Sequence, residues 1–120
     1  MEKEALLWLD MEMTGLDFRS DRILELALLL TDWKLNSLAS PLHLSLHCQE
    51  TVLSQMDSWC LFHHKASGVY ERSLLSDLSV KEAEEQVLLF LEVLSGFSLF
   101  LAGNSVHMDR LFLKKWMPSV

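Results

Sequence analysis

Ala5-Leu6-Leu7-Trp8-Leu9-Asp10-Met11-Glu12 is the stretch on which the fold turns. Five apolar residues without alternation are the pattern of a strand covered on both faces, which places the segment centrally in a sheet. The run ends in two acids. Residues i and i+2 of a strand share a face, so Asp10 and Glu12 project together while Met11 turns away. Beyond them, Thr14-Gly15-Leu16-Asp17-Phe18-Arg19-Ser20-Asp21 is rich in turn residues and leads into Arg22 to Thr31, a second apolar run with Glu25 as its only carboxylate. The polar turn Asp32 to Ser37 comes next. Leu42-His43-Leu44-Ser45-Leu46-His47 then alternates strictly, giving a third strand with one face open to water.

Further along, the period changes. Met56 to Lys65 does not alternate and is closed by Gly68, which predicts a short helix. Ser79 and Glu82 form a capping-box pair, and Val80, Ala83, Val87, Leu91 and Leu94 recur at helical spacing until Gly96. Phe97 to Ala102, bounded by Gly96 and Gly103, reads as a buried strand. Ser105 is placed to cap a last helix that runs to Met117 and is stopped by Pro118. Three N-terminal strands followed by helix, strand, helix predict an α/β domain with a mixed sheet. Residues 1–120 form one domain, whose open side lacks the further strand and helix a covered sheet would carry, so the expectation is an incomplete domain.

Composition narrows the function. Half of the 120 residues are hydrophobic, which excludes intrinsic disorder. Charges interrupt every apolar stretch, so no membrane span is expected. The acidic start Met1-Glu2-Lys3-Glu4 fits neither a secretory signal nor a transit peptide. Cys48 and Cys60 match neither a disulfide framework nor a zinc spacing and read as ordinary thiols of a reducing compartment. A net charge of -7 is a poor footprint for gripping a long polyanion, so any nucleic-acid partner is short or metal-bridged.

Adjacent carboxylates repel unless something lies between them. Magnesium and manganese prefer such oxygen ligands, and a pair of these ions about 3.5–4 Å apart activates water and stabilises the leaving oxygen of a phosphodiester. An isolated Asp-x-Glu is far more often a solvated strand end. A third acid raises its weight: if the strand before Gly103 lies beside the first strand, Asp109 in the first turns of the last helix comes to the same sheet edge. Its plainer role is to complement that helix's dipole, worth about 0.3–1 kcal/mol.

With these residues in view, the chain resembles the oligoribonucleases, small 3′-to-5′ exoribonucleases of the DEDDh group with a ribonuclease H-like fold. The matching stretches are Leu7 to Asp17, Asp21 to Ala27, Met56 to Cys60, His64 with Gly68, and Leu101 to Asp109 continuing through Phe112 and Met117-Pro118. They run in the family's order and look most like its eukaryotic, mitochondrial and cytosolic members. The resemblance implies that Asp10, Glu12 and Asp109 are catalytic ligands of two divalent ions, magnesium or manganese. It implies that Leu16 wedges against a terminal base, that Trp59 and His64 help hold the substrate, and that Ser105 lies near its 5′ phosphate. The implied activity removes nucleoside 5′-monophosphates from short single-stranded oligoribonucleotides, in mitochondria or cytoplasm, by a homodimer.

Without the resemblance, Leu16 and Trp59 read equally as core, Ser105 as a cap and His64 as a surface residue. His43 and His47 belong on the wet strand face, Trp8, Phe90 and Phe112 in the core. His107 is no base, because i and i+2 on a helix diverge. The family's third motif, a His followed several residues later by an Asp, has no counterpart here. The His would act as general base, worth about 10²–10⁴-fold, so the alternative is a catalytically impaired isoform or fragment that only binds metal or nucleotide, or pairs with a full-length homologue.

Overall fold

In the computed structural model, which describes residues 3–120, the Ala5–Leu9 run lies inside β1 (Lys3–Met13), flanked by β2 (Ile23–Thr31) and β4 (Phe97–Ala102). The sheet order is β3-β2-β1-β4, with β3 spanning Leu42–Ser45. β1 pairs antiparallel with β2 and parallel with β4, and β2 pairs antiparallel with β3. The parallel pair forces a crossover. Helices α1 (Glu50–Leu53), α2 (Ser58–Ser67), α3 (Val69–Leu75) and α4 (Val80–Glu92) lie between β3 and β4 and carry the chain across, and α5 (Val106–Trp116) comes after β4. This is the mixed α/β architecture expected from the sequence.

Strand alternation divides the sheet. Leu7, Leu9 and Met11 of β1 join Leu26, Leu28 and Leu30 of β2 in a core completed by Ala83 and Val87 of α4 and Phe112 of α5. The neighbours of these β1 residues, Trp8, Asp10 and Glu12, project from the other face. That face is polar at one end: Glu12 stands directly across from Glu25, and Asp10 from Ala27. A second cluster of Leu24, Cys48, Leu53, Met56, Cys60 and Val69 fastens α1 to α3 against the end of β2. Both cysteines are buried free thiols.

Two helix boundaries obey their signals closely. Gly68 ends α2 in the left-handed conformation, φ 87°, where a residue without Cβ is unstrained. At α4 the capping box is complete: the Ser79 hydroxyl accepts from the Glu82 N–H at 3.1 Å, and the Glu82 carboxylate accepts from the Ser79 N–H at 3.0 Å. Ser79→Ala is expected to cost about 1 kcal/mol of stability, read as a lower denaturant midpoint with unchanged slope.

Elsewhere the structure corrects the sequence reading. β4 is not buried: Leu99, Phe100 and Leu101 are each more than a third exposed, because the strand occupies the sheet edge. Ser105 makes no side-chain cap among the described residues; its backbone sits in the left-handed region at φ 51°, not in the extended conformation of an ordinary N-cap. α4 stops at Glu92, short of Gly96, although Leu94 still reaches the core. Trp8 is half-buried on the opposite face, its indole N–H donating to the Thr31 hydroxyl at 2.9 Å. Helices α1 and α3 lie outside the elements expected from the sequence. No described helix is long and apolar enough to cross a membrane.

Candidate active site

The end of β1 and the start of α5 bring the acids together. Asp10 and Glu12 leave β1 on the same face and are exposed, whereas Asp109, one turn into α5, is 4% exposed. Gly103 makes the approach possible: a Cβ there would collide with the Leu9 carbonyl oxygen, so only glycine lets the chain pass β1 this closely before entering α5. Asp109 Oδ2 is buried and has no hydrogen-bond partner among the described residues. Burial, then the carboxylates of Asp10 and Glu12, push its acid up to about 6, with His107 opposing. Burial likewise raises Glu12; His64 opposes it, and Asp10 and Glu25 add to it. The three acids therefore lie within each other's fields. They are not drawn into a finished cluster: among the described residues no three His, Cys, Asp or Glu side chains form a group that could hold a metal ion as they stand. The donor set, three carboxylates with an orphaned buried oxygen among them, still suits a hard divalent cation and no softer one.

Beside Glu12 opens a cleft of about 570 Å³, lined among others by Leu16, Asp57, Trp59 and His64. Leu16 is 74% exposed and Trp59 65% exposed, so neither is core. Large apolar side chains held in water on two lips of one cleft are placed to meet a flat apolar ligand. His64, in contrast, is buried rather than on the surface. Its Nε2 donates to the Met13 carbonyl at 2.7 Å, and its Nδ1 lies 3.9 Å from Glu12 Oε2. It thus ties α2 to the end of β1. Asp57 caps α2, accepting from the Cys60 N–H at 2.8 Å. Ser105 is exposed at the head of α5 and does not line the cleft. His43 and His47 are exposed, as the sequence suggested, and His107 is exposed as well.

Three further contributors escaped the sequence reading. His63 packs its ring 4.1 Å from that of Trp59, a contact that the i, i+4 spacing on a helix could have signalled. Asp21 closes the loop that carries Leu16. Glu25 is buried and bound by Arg72 at 2.6 and 3.0 Å and by the Ser45 hydroxyl at 2.6 Å. A lone carboxylate in an otherwise apolar strand was the available signal for that last pair.

Comparison with known proteins assigns the scaffold. Residues 7–120 match the exonuclease family designated RNase_T. The chain belongs to this exonuclease family. Among its relatives, an oligoribonuclease of Arabidopsis thaliana is 45% identical over 120 residues, covering 98% of this chain and 54% of the relative. An oligoribonuclease of Marinobacter nauticus is 43% identical, covering 98% of this chain and 66% of the relative. The chain thus spans between half and two thirds of the length of these exonucleases. The nuclease domain of 3′hExo, a DEDDh family member bound to rAMP, superposes with a TM-score of 0.69 at 12% identity, covering 98% of this chain and 60% of that one. An exonuclease I from Methylocaldum szegediense gives a TM-score of 0.64 at 24% identity, covering 92% and 22%. These likenesses establish that the chain shares the fold of these exonucleases and covers part of their length.

Proposed function

We propose that this chain carries the acid site and substrate cleft of a 3′-to-5′ exoribonuclease that shortens small oligoribonucleotides to nucleoside 5′-monophosphates. One observation carries the reading. A buried Asp109 carboxylate, its Oδ2 unpartnered among the described residues, stands in the field of Asp10 and Glu12, and Glu12 lines a cleft whose lips are Leu16 and Trp59. Asp10, Glu12 and Asp109 would hold two divalent ions, magnesium or manganese, which when bound supply an activated water and charge stabilisation at the scissile phosphodiester. The remaining residues bind and orient. Leu16 and Trp59 offer apolar surface on either side of a terminal base, and stacking of this kind is worth about 1–3 kcal/mol per base. His64 fixes the end of β1 against α2 and so holds Glu12 beside the cleft. Ser105 is the polar group at the head of α5 for a 5′ phosphate.

Acidity agrees with this substrate. A dinucleotide to pentanucleotide offers too few phosphates for a basic groove to decide affinity. The relatives named oligoribonuclease support the same class, and the resemblance favours mitochondria or cytoplasm as its location. The test is hydrolysis of a labelled dinucleotide by the purified chain with magnesium or manganese, beside Asp10→Ala. We expect metal-dependent release of the 3′ mononucleotide by the parent chain alone. Turnover no higher than that of Asp10→Ala would end the catalytic assignment.

A second reading draws on β4, an edge strand with three apolar residues more than a third exposed. In it, the chain binds metal or nucleotide without turnover, or pairs through that edge with a longer homologue, as exposed strand edges do. Sedimentation of the chain alone and with such a homologue separates the two.

A further inference from the structure

Leu16 is held in water at the tip of the loop between β1 and β2, and its own side chain has little to fix it. Its two neighbours are fixed instead. Behind the loop, Asp21 Oδ1 accepts from the Thr14 hydroxyl at 2.8 Å, and Oδ2 accepts from the Asp17 N–H at 2.9 Å. The Asp21 N–H donates to the Asp17 carbonyl at 2.7 Å. The Thr14 hydroxyl also accepts from the Arg22 N–H at 2.9 Å, while the Thr14 N–H donates to the Arg22 carbonyl at 2.9 Å, closing the base of the loop. Gly15 lies flat on the same carboxylate: a Cβ there would be 2.5 Å from Asp21 Oδ2. Residues 15 and 17, on either side of Leu16, therefore both bear on one side chain.

A free loop carrying an apolar side chain would lose on binding the backbone freedom it holds in solution. Here that freedom is already removed. We propose that Asp21 is a positioning residue that presents Leu16 to the terminal base of the substrate across from Trp59, and so sets affinity for the nucleotide without touching it. This rests on the nuclease reading of the cleft. Asp21 works through two features: a carboxylate with both oxygens engaged, and a glycine that lets the backbone lie against it. An asparagine would present an N–H to one of the two donors and break one of the bonds.

The experiment uses AMP, a mononucleotide of the product class that cannot be shortened further, titrated in magnesium against the whole chain. Asp21→Ala, Thr14→Val, Thr14→Ser, Leu16→Ala and the double variant Asp21→Ala/Leu16→Ala are compared. We expect Leu16→Ala and Asp21→Ala each to weaken AMP binding about tenfold, a loss equivalent to about 1.4 kcal/mol. The double variant should be no weaker than Leu16→Ala alone. Thr14→Ser, which keeps the hydroxyl, should bind as the parent does, and Thr14→Val should weaken binding in the same direction as Asp21→Ala. Amide exchange at residues 14–21 should quicken in Asp21→Ala while exchange in β1 is unchanged. Thr14→Val keeps the test open if Asp21→Ala does not fold. Equal losses from Asp21→Ala with and without Leu16 would overturn the proposal, as would unchanged affinity in both Asp21→Ala and Thr14→Val. No AMP binding by the parent chain would overturn the nucleotide reading of the cleft, and this role of Asp21 with it.

Discussion

Asp109→Asn is expected to flatten the pH dependence of stability in the metal-free chain and, at the same time, to remove most of its response to magnesium or manganese. The acid is 4% exposed. Burial and the neighbouring carboxylates of Asp10 and Glu12 push it up to about 6 from an ordinary 3.8. A carboxylic acid raised on folding binds its proton more tightly in the folded state. Its contribution to stability is therefore fully present below 3.8 and is lost as pH rises through about 6. The loss by pH 7 is on the order of 1–3 kcal/mol. Asparagine has no charge to lose, so the difference between the two melting temperatures should move in favour of Asp109→Asn between pH 4 and 7. Divalent cation acts oppositely. Bound at these acids it stabilises the parent by about 2.7 kcal/mol at a hundred times its dissociation constant, and it should do little for the variant. Thermal melts across that pH range, with and without manganese, check both halves. A parallel pH profile for the two proteins, or a full manganese shift in Asp109→Asn, would show that the three acids do not act on one another.

Arg72→Met should destabilise the fold by about 2–4 kcal/mol at pH 7, because it leaves a buried carboxylate unpaired. Glu25 is 5% exposed and stands directly across from Glu12. Burial opposes its ionisation, but hydrogen bonds from Arg72 and Ser45 and the charge of Arg72 outweigh that and hold the acid below the usual carboxylate range. Arg72 is itself half exposed, which is why the expected loss falls below that of a fully buried pair. His43 Nε2, 3.6 Å from Glu25, is too open to water to replace the guanidinium. The stabilisation from a lowered acid is present above its unfolded value and fades as pH falls through the folded one. The cost of Arg72→Met should accordingly shrink in acid. Urea midpoints at pH 7 and pH 4 measure it, and the double variant Glu25→Gln/Arg72→Met should recover most of the loss. Equal costs at both pH values would mean that Arg72 acts through packing of its stem alone.

Much of the scaffold was legible because it depends on local patterns. An unbroken apolar run marks β1 as central, the i, i+2 rule puts Asp10 and Glu12 on one face, and the Ser79–Glu82 spacing marks the start of α4. What failed depends on neighbours distant in the chain. Phe97 to Ala102 is as apolar as a buried strand, yet nothing within it says that one flank is open. Arg72 finds Glu25 across 47 residues, a separation no periodicity reports. α3 was hidden by the same glycine that announced the end of α2, since a stop signal gave no reason to expect a new helix at once. Ser105 has the right residue type for a cap but the wrong backbone angles. At the site, the acids could be reasoned from charge and strand geometry. The exposure of Leu16 and Trp59 could not, because composition does not distinguish an apolar residue in the core from one kept at a cleft mouth; only the resemblance pointed to them.

Gly68 is both the last cap of α2 and the first of α3, at a φ of 87°. The helix before it carries Trp59 and His64; the helix after it carries Arg72. A side chain at that elbow would strain the backbone and stand 2.7 Å from an Arg72 nitrogen. The wall that lines the cleft and the counter-ion of Glu25 thus share a single joint, so a change at Gly68 reaches both.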